Sequence, residues 1–182
     1  GDYLAIGATY EYADYGSSKM RVNDGGYYDA YWGDYYETST NDEVMNRHIE
    51  NTLKGVSTFK VGAEYKVAPG FSVRLGYNYV SPMFSKNGFK DGTLPSYGSY
   101  YSSATDYTNW KATNRITAGF GYATGKWNFD LAYAYSQTNG DFYPFMSYYP
   151  GSGEDASFAN IVDGMKVSNK RNQLLLTVGY KF

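Results

Sequence analysis

Six segments of the chain alternate apolar and polar residues with period two, each apolar set spanning about nine residues, the pattern of a half-solvated β-strand. The expected strands run over 2–13, 58–67, 71–80, 114–123, 127–136 and 172–182. In the last, Leu174, Leu176, Val178, Tyr180 and Phe182 share one face, while Gln173, Leu175, Thr177, Gly179 and Lys181 share the other. The remaining apolar sets start with Leu4, Ile6, Ala8, Tyr10 and Tyr12, followed by Phe59, Val61, Ala63, Tyr65 and Val67. Next come Phe71, Val73, Leu75, Tyr77 and Tyr79; Ile116, Ala118, Phe120 and Tyr122; and Trp127, Phe129, Leu131, Tyr133 and Tyr135. Their reverse faces hold glycine, alanine, threonine and the charges Glu11, Lys60, Glu64, Lys66, Arg74, Arg115 and Asp130. Aromatics collect at the segment ends with aliphatics between, the arrangement of two headgroup-level girdles.

The period therefore predicts strands with acyl chains on one side and a hydrated lumen on the other. A one-residue slip would turn the charges outward. For Arg74 or Lys60 at mid-depth that would cost roughly 2–4 kcal/mol each. A soluble sandwich with the aromatic face as its dry core fits the same period. It leaves the end-clustered aromatics, the long aromatic loops and the terminal Phe182 without a reason.

Connections alternate in length. Val67-Ala68-Pro69-Gly70-Phe71 and Ala123-Thr124-Gly125-Lys126-Trp127 are tight returns, whereas roughly 13–57, 81–113 and 137–169 are long. Brief turns on one side and long loops on the other are the habit of outer-membrane barrels. All long loops fall on one side if the C-terminus lies on the other.

Composition narrows the classes. Among 182 residues there are 23 tyrosines and no cysteine, and the net charge is −2. Tyrosine suits membrane–water boundaries, and the charge offers no basic patch for nucleic acid. Lack of cysteine is compatible with an oxidising periplasm. No apolar run approaches the roughly 18 residues of a spanning helix. The chain opens at Gly1-Asp2 with no basic and apolar leader pattern and enters a strand at once, as a segment of something larger would.

The expected fold is thus all-β, an antiparallel transmembrane β-barrel segment forming one domain over 1–182. Six strands leave two bare edges, which hydrocarbon does not tolerate, and single-chain barrels begin at about eight strands. The missing wall is expected from absent N-terminal strands or another chain.

Several blocks carry a family resemblance: Tyr10-Glu11-Tyr12-Ala13-Asp14-Tyr15-Gly16-Ser17, Lys60-Val61-Gly62-Ala63-Glu64-Tyr65 and Phe71-Ser72-Val73-Arg74-Leu75-Gly76-Tyr77-Asn78-Tyr79-Val80-Ser81-Pro82. With Ile116-Thr117-Ala118-Gly119-Phe120-Gly121-Tyr122 and Leu131-Ala132-Tyr133-Ala134-Tyr135, they resemble the C-terminal half of FadL-type outer-membrane transport proteins, in a Tyr- and Asn-rich version similar to Bacteroidota members. The resemblance implies a 14-stranded barrel of which this is the final six strands, located in the bacterial outer membrane. It also implies an N-terminal plug and passage of hydrophobic small molecules such as long-chain fatty acids. Some relatives are non-transporting subunits of assembly or secretion complexes. Tyr180 and Phe182 would form the terminal signal read by the barrel-assembly machinery.

Candidate chemistry is sparse. His48, the single histidine, lies in a stretch with a possible cap at Thr40 or Asn41 and Met45, Ile49 and Leu53 at four-residue spacing, the pattern of a short loop helix. It is a possible haem or metal ligand, though a surface histidine is the plainer view. Nothing supplies a partnered nucleophile, paired rim carboxylates, phosphate loop or metal motif, so no enzyme, metal or cofactor is expected. Asp141, Glu154, Asp155 and Asp163 match no defined calcium loop and read as solvated carboxylates. The candidate ligand-binding residues face the lumen: Arg74, Arg115, Glu64, Lys60, Glu11 and Asp130. Glu64 or Glu11 is expected to pair with Arg74 or Lys60, and Arg74 or Arg115 to guide an anionic headgroup. Loop aromatics form either a capture surface or loop packing: Tyr27, Tyr28, Tyr31, Trp32, Tyr35 and Tyr36; Tyr97, Tyr100 and Tyr101; Phe142, Tyr143, Phe145, Tyr148 and Tyr149. The first function expected is passive uptake of hydrophobic compounds, with membrane lipid as partner; the alternative is a docking subunit.

Overall fold

A computed structural model describes residues 3–86, 88, 108–143 and 163–182. Among the described residues eight strands form: β1 (Leu4–Asp14), β2 (Arg21–Asp29), β3 (Asp34–Asn41), β4 (Gly55–Ala68), β5 (Phe71–Val80), β6 (Thr108–Thr124), β7 (Trp127–Phe142) and β8 (Met165–Tyr180). One helix, α1 (Glu43–Thr52), sits between β3 and β4. Six strands make one antiparallel sheet in the order β1-β4-β5-β6-β7-β8, while β2 and β3 pair only with each other. The six sheet strands cover the expected segments, but β6 starts at Thr108 rather than 114, β7 runs on to Phe142 rather than 136, and β8 spans Met165–Tyr180 rather than 172–182; β2 and β3 are additional, lying within the first long connection.

Residues opposite one another in an antiparallel pair share a face, so register tests the two-faced reading. Ile6 faces Ala63, which faces Leu75, then Ala118, Tyr133 and Leu174. One row over, Leu4, Tyr65, Val73, Phe120, Leu131 and Leu176 align across all six strands. The reverse rows run Gly7, Gly62, Gly76, Thr117, Ala134, Gln173 and Ala5, Glu64, Arg74, Gly119, Ala132, Leu175. The apolar face is therefore continuous rather than broken at each strand boundary.

Two tight returns fix that register. Pro69-Gly70 joins β4 to β5 with Gly70 at φ 76°, a left-handed angle at the third turn position that a side chain would strain. A Cβ there would also strike the Ala123 carbonyl oxygen. Such a turn matches strand twist poorly, and a register irregularity between Lys66 and Ala68 lies beside it. Gly125-Lys126 turns β6 into β7.

Within the first long connection, Asp42 caps α1 by accepting from the Met45 amide at 2.9 Å. The expected caps, Thr40 and Asn41, are instead consumed by β3, paired with Val22 and Arg21. Asn46 clasps Met20 from both sides, accepting from its amide at 2.6 Å and donating to its carbonyl at 3.1 Å. Lys19 pairs with Glu50, whose carboxyl is held below the usual carboxylate range chiefly by that hydrogen bond. The helix thereby anchors the base of the hairpin. Of the expected apolar stripe, Ile49 is buried but Met45 is exposed.

A conventional core is missing from the described residues. Only Ile49 and Tyr143 among the hydrophobic residues are buried, whereas Leu75 is 62% exposed and Leu174 and Leu176 are 70% exposed. Neither face of the sheet carries a covering layer of described residues, and β1 and β8 each pair on one side only.

Candidate functional site

Chemistry concentrates on the polar face. Glu64 and Arg74 are direct cross-strand partners and form an ion pair. Glu11 accepts from Lys60 Nζ at 2.7 Å, diagonally across β1 and β4. These are the pairings the alternating charges suggested. Arg74 also reaches Asp130 at 2.5 Å, although β6 lies between them.

Gly121 explains that reach. A Cβ built on it would sit 2.9 Å from Asp130 Oδ1, 2.8 Å from Ser72 Oγ and 3.2 Å from Arg74 Nη2. The missing side chain is the passage through which the guanidinium crosses β6. Two carboxylates thus share one guanidinium, and Arg74 remains 48% exposed. Hydrated charges of this kind neutralise one another at little net gain, typically below about 1 kcal/mol per pair.

Toward the loop end the balance reverses. Lys60, Asn78, Arg115, Ser136 and Arg171 occupy one row of the same face. Arg115 and Arg171 flank Ser136 and have no carboxylate partner among the described residues. Arg171 lies just outside the expected sixth strand, 172–182, but within β8 as it forms. Asp130 lies on the polar face opposite Gly121, and its link to Arg74 depends on that glycine, whose only signal in the sequence is the pair Gly119 and Gly121 on one face.

The apolar face ends sharply toward the loops. Tyr77 Oη donates to Asn114 Oδ1 and Tyr133 Oη to Asn172 Oδ1, both at 2.6 Å, and Tyr10 Oη lies 3.1 Å from Ser57 Oγ. Tyrosine here has an apolar body and a satisfied polar tip, the residue for a boundary between two media. At the turn end Trp127 lies 4.8 Å from Tyr180, which meets Phe182 edge-on at 5.4 Å, with Lys126 over the Tyr180 ring. Tyr180 ends β8 and Phe182 lies beyond it.

Other candidates separate. His48 is half-buried on α1. Asp141 binds two lysines, Lys166 at 2.7 Å and Lys111 at 3.1 Å. No group of three or more metal-ligating side chains occurs among the described residues. Tyr27, Tyr28, Tyr35 and Tyr36 stand exposed on the β2–β3 hairpin, with Tyr31 and Trp32 at its tip. Tyr143 is buried, and Phe142 ends β7. Tyr97, Tyr100, Tyr101, Phe145, Tyr148, Tyr149, Glu154 and Asp155 lie outside the described residues.

Comparison with protein-family models finds no match, and neither the curated proteins nor the solved structures yield one. Nothing in these comparisons identifies the family that the residues resemble.

Proposed function

We propose that this chain is part of the wall of a bacterial outer-membrane β-barrel that passes hydrophobic small molecules such as fatty acids. The observation that carries this is the unbroken apolar face, exposed across six strands with no covering core among the described residues and bordered by aromatics at both ends. Exposing that surface to water would forfeit roughly 1.5–3 kcal/mol per large side chain. Against acyl chains it costs nothing. Nine residues rise roughly 27 Å along a strand, and a tilt near 40° reduces this to roughly 20 Å, close to the ~25 Å belt of such barrels.

In hydrocarbon each unpaired backbone group costs several kcal/mol. The free sides of β1 and β8 therefore pair with further strands, and 14 strands in all is the closure implied by the FadL-type resemblance. Lumen-facing Glu11, Lys60, Glu64, Arg74, Arg115 and Asp130 then bound a hydrated path in which Arg115 attracts an anionic end. Tyr180 and Phe182 serve as the assembly signal. The test is uptake of labelled fatty acid by liposomes holding the full-length protein. Uptake above empty liposomes supports transport; uptake equal to them removes it.

One observation favours a second reading, a non-transporting subunit. The β2–β3 hairpin holds six exposed aromatics and is tied to α1 at its base by Asn46 and Met20. Co-purification with large partners at fixed stoichiometry, lost on deleting the hairpin, would favour it.

A further inference from the structure

On the polar face, β6, β7 and β8 step down from the loop end in aligned rows. Thr113, Thr138 and Asn169 stand first, then Arg115, Ser136 and Arg171. Below them come Thr117, Ala134 and Gln173, then Gly119, Ala132 and Leu175. Asp130 enters only in the row after that, between Gly121 and Thr177. On these strands two uncharged rows therefore separate a cationic row from the carboxylate below.

The cations of this face are not equivalent. Arg74 has its guanidinium divided between Glu64 and Asp130, and Lys60 is held by Glu11. Arg115 and Arg171 are exposed and have no ion pair among the described residues. One strand lies between them, so their backbones stand roughly 10 Å apart, and the long stems can converge over the Ser136 hydroxyl. Two guanidinium forks and a hydroxyl make a receptor for an oxyanion, since carboxylate, sulfonate and phosphate present the same acceptors.

Leu175 is an independent observation. It is 60% exposed on the face that otherwise carries polar and small residues. Ala132 and Gly119 beside it, and Ala134 in the row above, offer no polar side chain. A leucine left in a wet lumen forfeits roughly 1.5–3 kcal/mol that an apolar occupant would recover. Ser136 and Ala132 are four residues apart, roughly 13 Å along the strand, so an alkyl chain hung from the arginine row lies along this strip.

We propose that Arg115, Ser136 and Arg171 clamp the oxyanion head of a linear amphiphile whose tail runs down over Ala134, Ala132 and Leu175. The inference rests on the reading that this face lines a transport lumen. It assigns charge selection to Arg115 and Arg171 and takes Arg74 out of it, because Glu64 and Asp130 already fill the Arg74 fork. An amphiphile with a cationic head meets like charge at the same row and is rejected.

The test is uptake into neutral phosphatidylcholine liposomes holding the full-length protein, read as an initial rate against empty liposomes. The probes are dodecyl sulfonate, dodecyltrimethylammonium and methanesulfonate, whose heads keep their charge near neutral pH and do not slip through the bilayer as neutral acids. The wild type is expected to take up dodecyl sulfonate about tenfold faster than dodecyltrimethylammonium, the worth of one charge-assisted contact. Arg115→Gln/Arg171→Gln should abolish the preference; Arg171→Gln alone should reduce it severalfold and stands in if the double variant fails to fold. Lys170→Gln removes the same charge next door but on the opposite face, level with Gln137, and should leave the preference intact. Leu175→Gln should slow dodecyl sulfonate severalfold while keeping the preference for the negative head. Equal rates for the two amphiphiles in the wild type, or an unchanged preference in the arginine variants, overturns the clamp. An unchanged rate in Leu175→Gln, or methanesulfonate passing as fast as dodecyl sulfonate, makes the row a general anion path and overturns the amphiphile. Uptake of neither amphiphile above empty liposomes removes the transport reading itself.

Discussion

Arg74 carries the residue-scale argument, because the medium around it sets the strength of its contacts. If the polar face is wet, Arg74 and Asp130 couple weakly. A double-mutant cycle with Arg74→Met and Asp130→Asn, read from reversible unfolding in urea, should give a coupling below about 1 kcal/mol. A coupling of several kcal/mol would place the pair in a dry interior. Gly121→Val should break the contact without touching either charge, since its Cβ would fall on Asp130 and Ser72. Asp141 supplies a pH prediction outside the spanning part. Its carboxyl, 17% exposed, is held below the usual range first by the Lys166 hydrogen bond and then by Lys111, against an opposing contribution from burial. A depressed carboxyl stabilises the fold above its unfolded pKa, near 3.9, and that stability is lost as pH falls through the lower folded value. Asp141→Asn should therefore flatten the fall in stability below about pH 4 seen for the wild type. Glu64–Arg74 and Glu11–Lys60 were legible from charge alternation. The Arg74–Asp130 contact was not, since pairing across an intervening strand depends on a missing side chain.

At the scale of elements, legibility followed the contrast between faces. β4, β5 and the lower parts of β6, β7 and β8 carry apolar residues on one face and polar or small residues on the other, so period two was visible. Above the tyrosine boundary β7 reads Ser136-Gln137-Thr138-Asn139-Gly140-Asp141, polar on both faces, and no period marked the strand's continuation to Phe142. The β2–β3 hairpin was hidden for another reason. Tyr27 pairs with Tyr36 and Tyr28 with Tyr35, so aromatics occupy both faces, and a bulge between Asn23 and Gly25 interrupts the count. α1 was legible in kind, but its cap moved to Asp42 once β3 claimed Thr40 and Asn41. Asp42→Ala should cost about 1 kcal/mol, readable as greater proteolysis of the helix, with the sheet spectrum unchanged. The two faces of β7 give a sharper prediction. Leu131→Arg should destabilise the protein refolded into bilayers by roughly 2–4 kcal/mol, whereas Ala132→Arg next door should cost far less. Equal costs would mean that both faces meet the same medium.

For the whole molecule, one fact governs the rest: among the described residues, a sheet with two exposed faces and no core does not account for its own stability in water. Marginal net stability leaves no room for so much apolar surface in contact with solvent. The absence of cysteine permits a direct test, because single cysteines can be placed at will. Cysteines at 129, 131 and 133 and at 130, 132 and 134, in full-length protein reconstituted into liposomes, would be carried through two reactions. One is modification by a charged aqueous thiol reagent; the other is quenching of an attached fluorophore by spin-labelled acyl chains. The account predicts strict alternation, with odd positions quenched by lipid and protected from the reagent and even positions reacting with it. Odd positions shielded from both lipid and water, or an alternation that survives with no bilayer present, would contradict it.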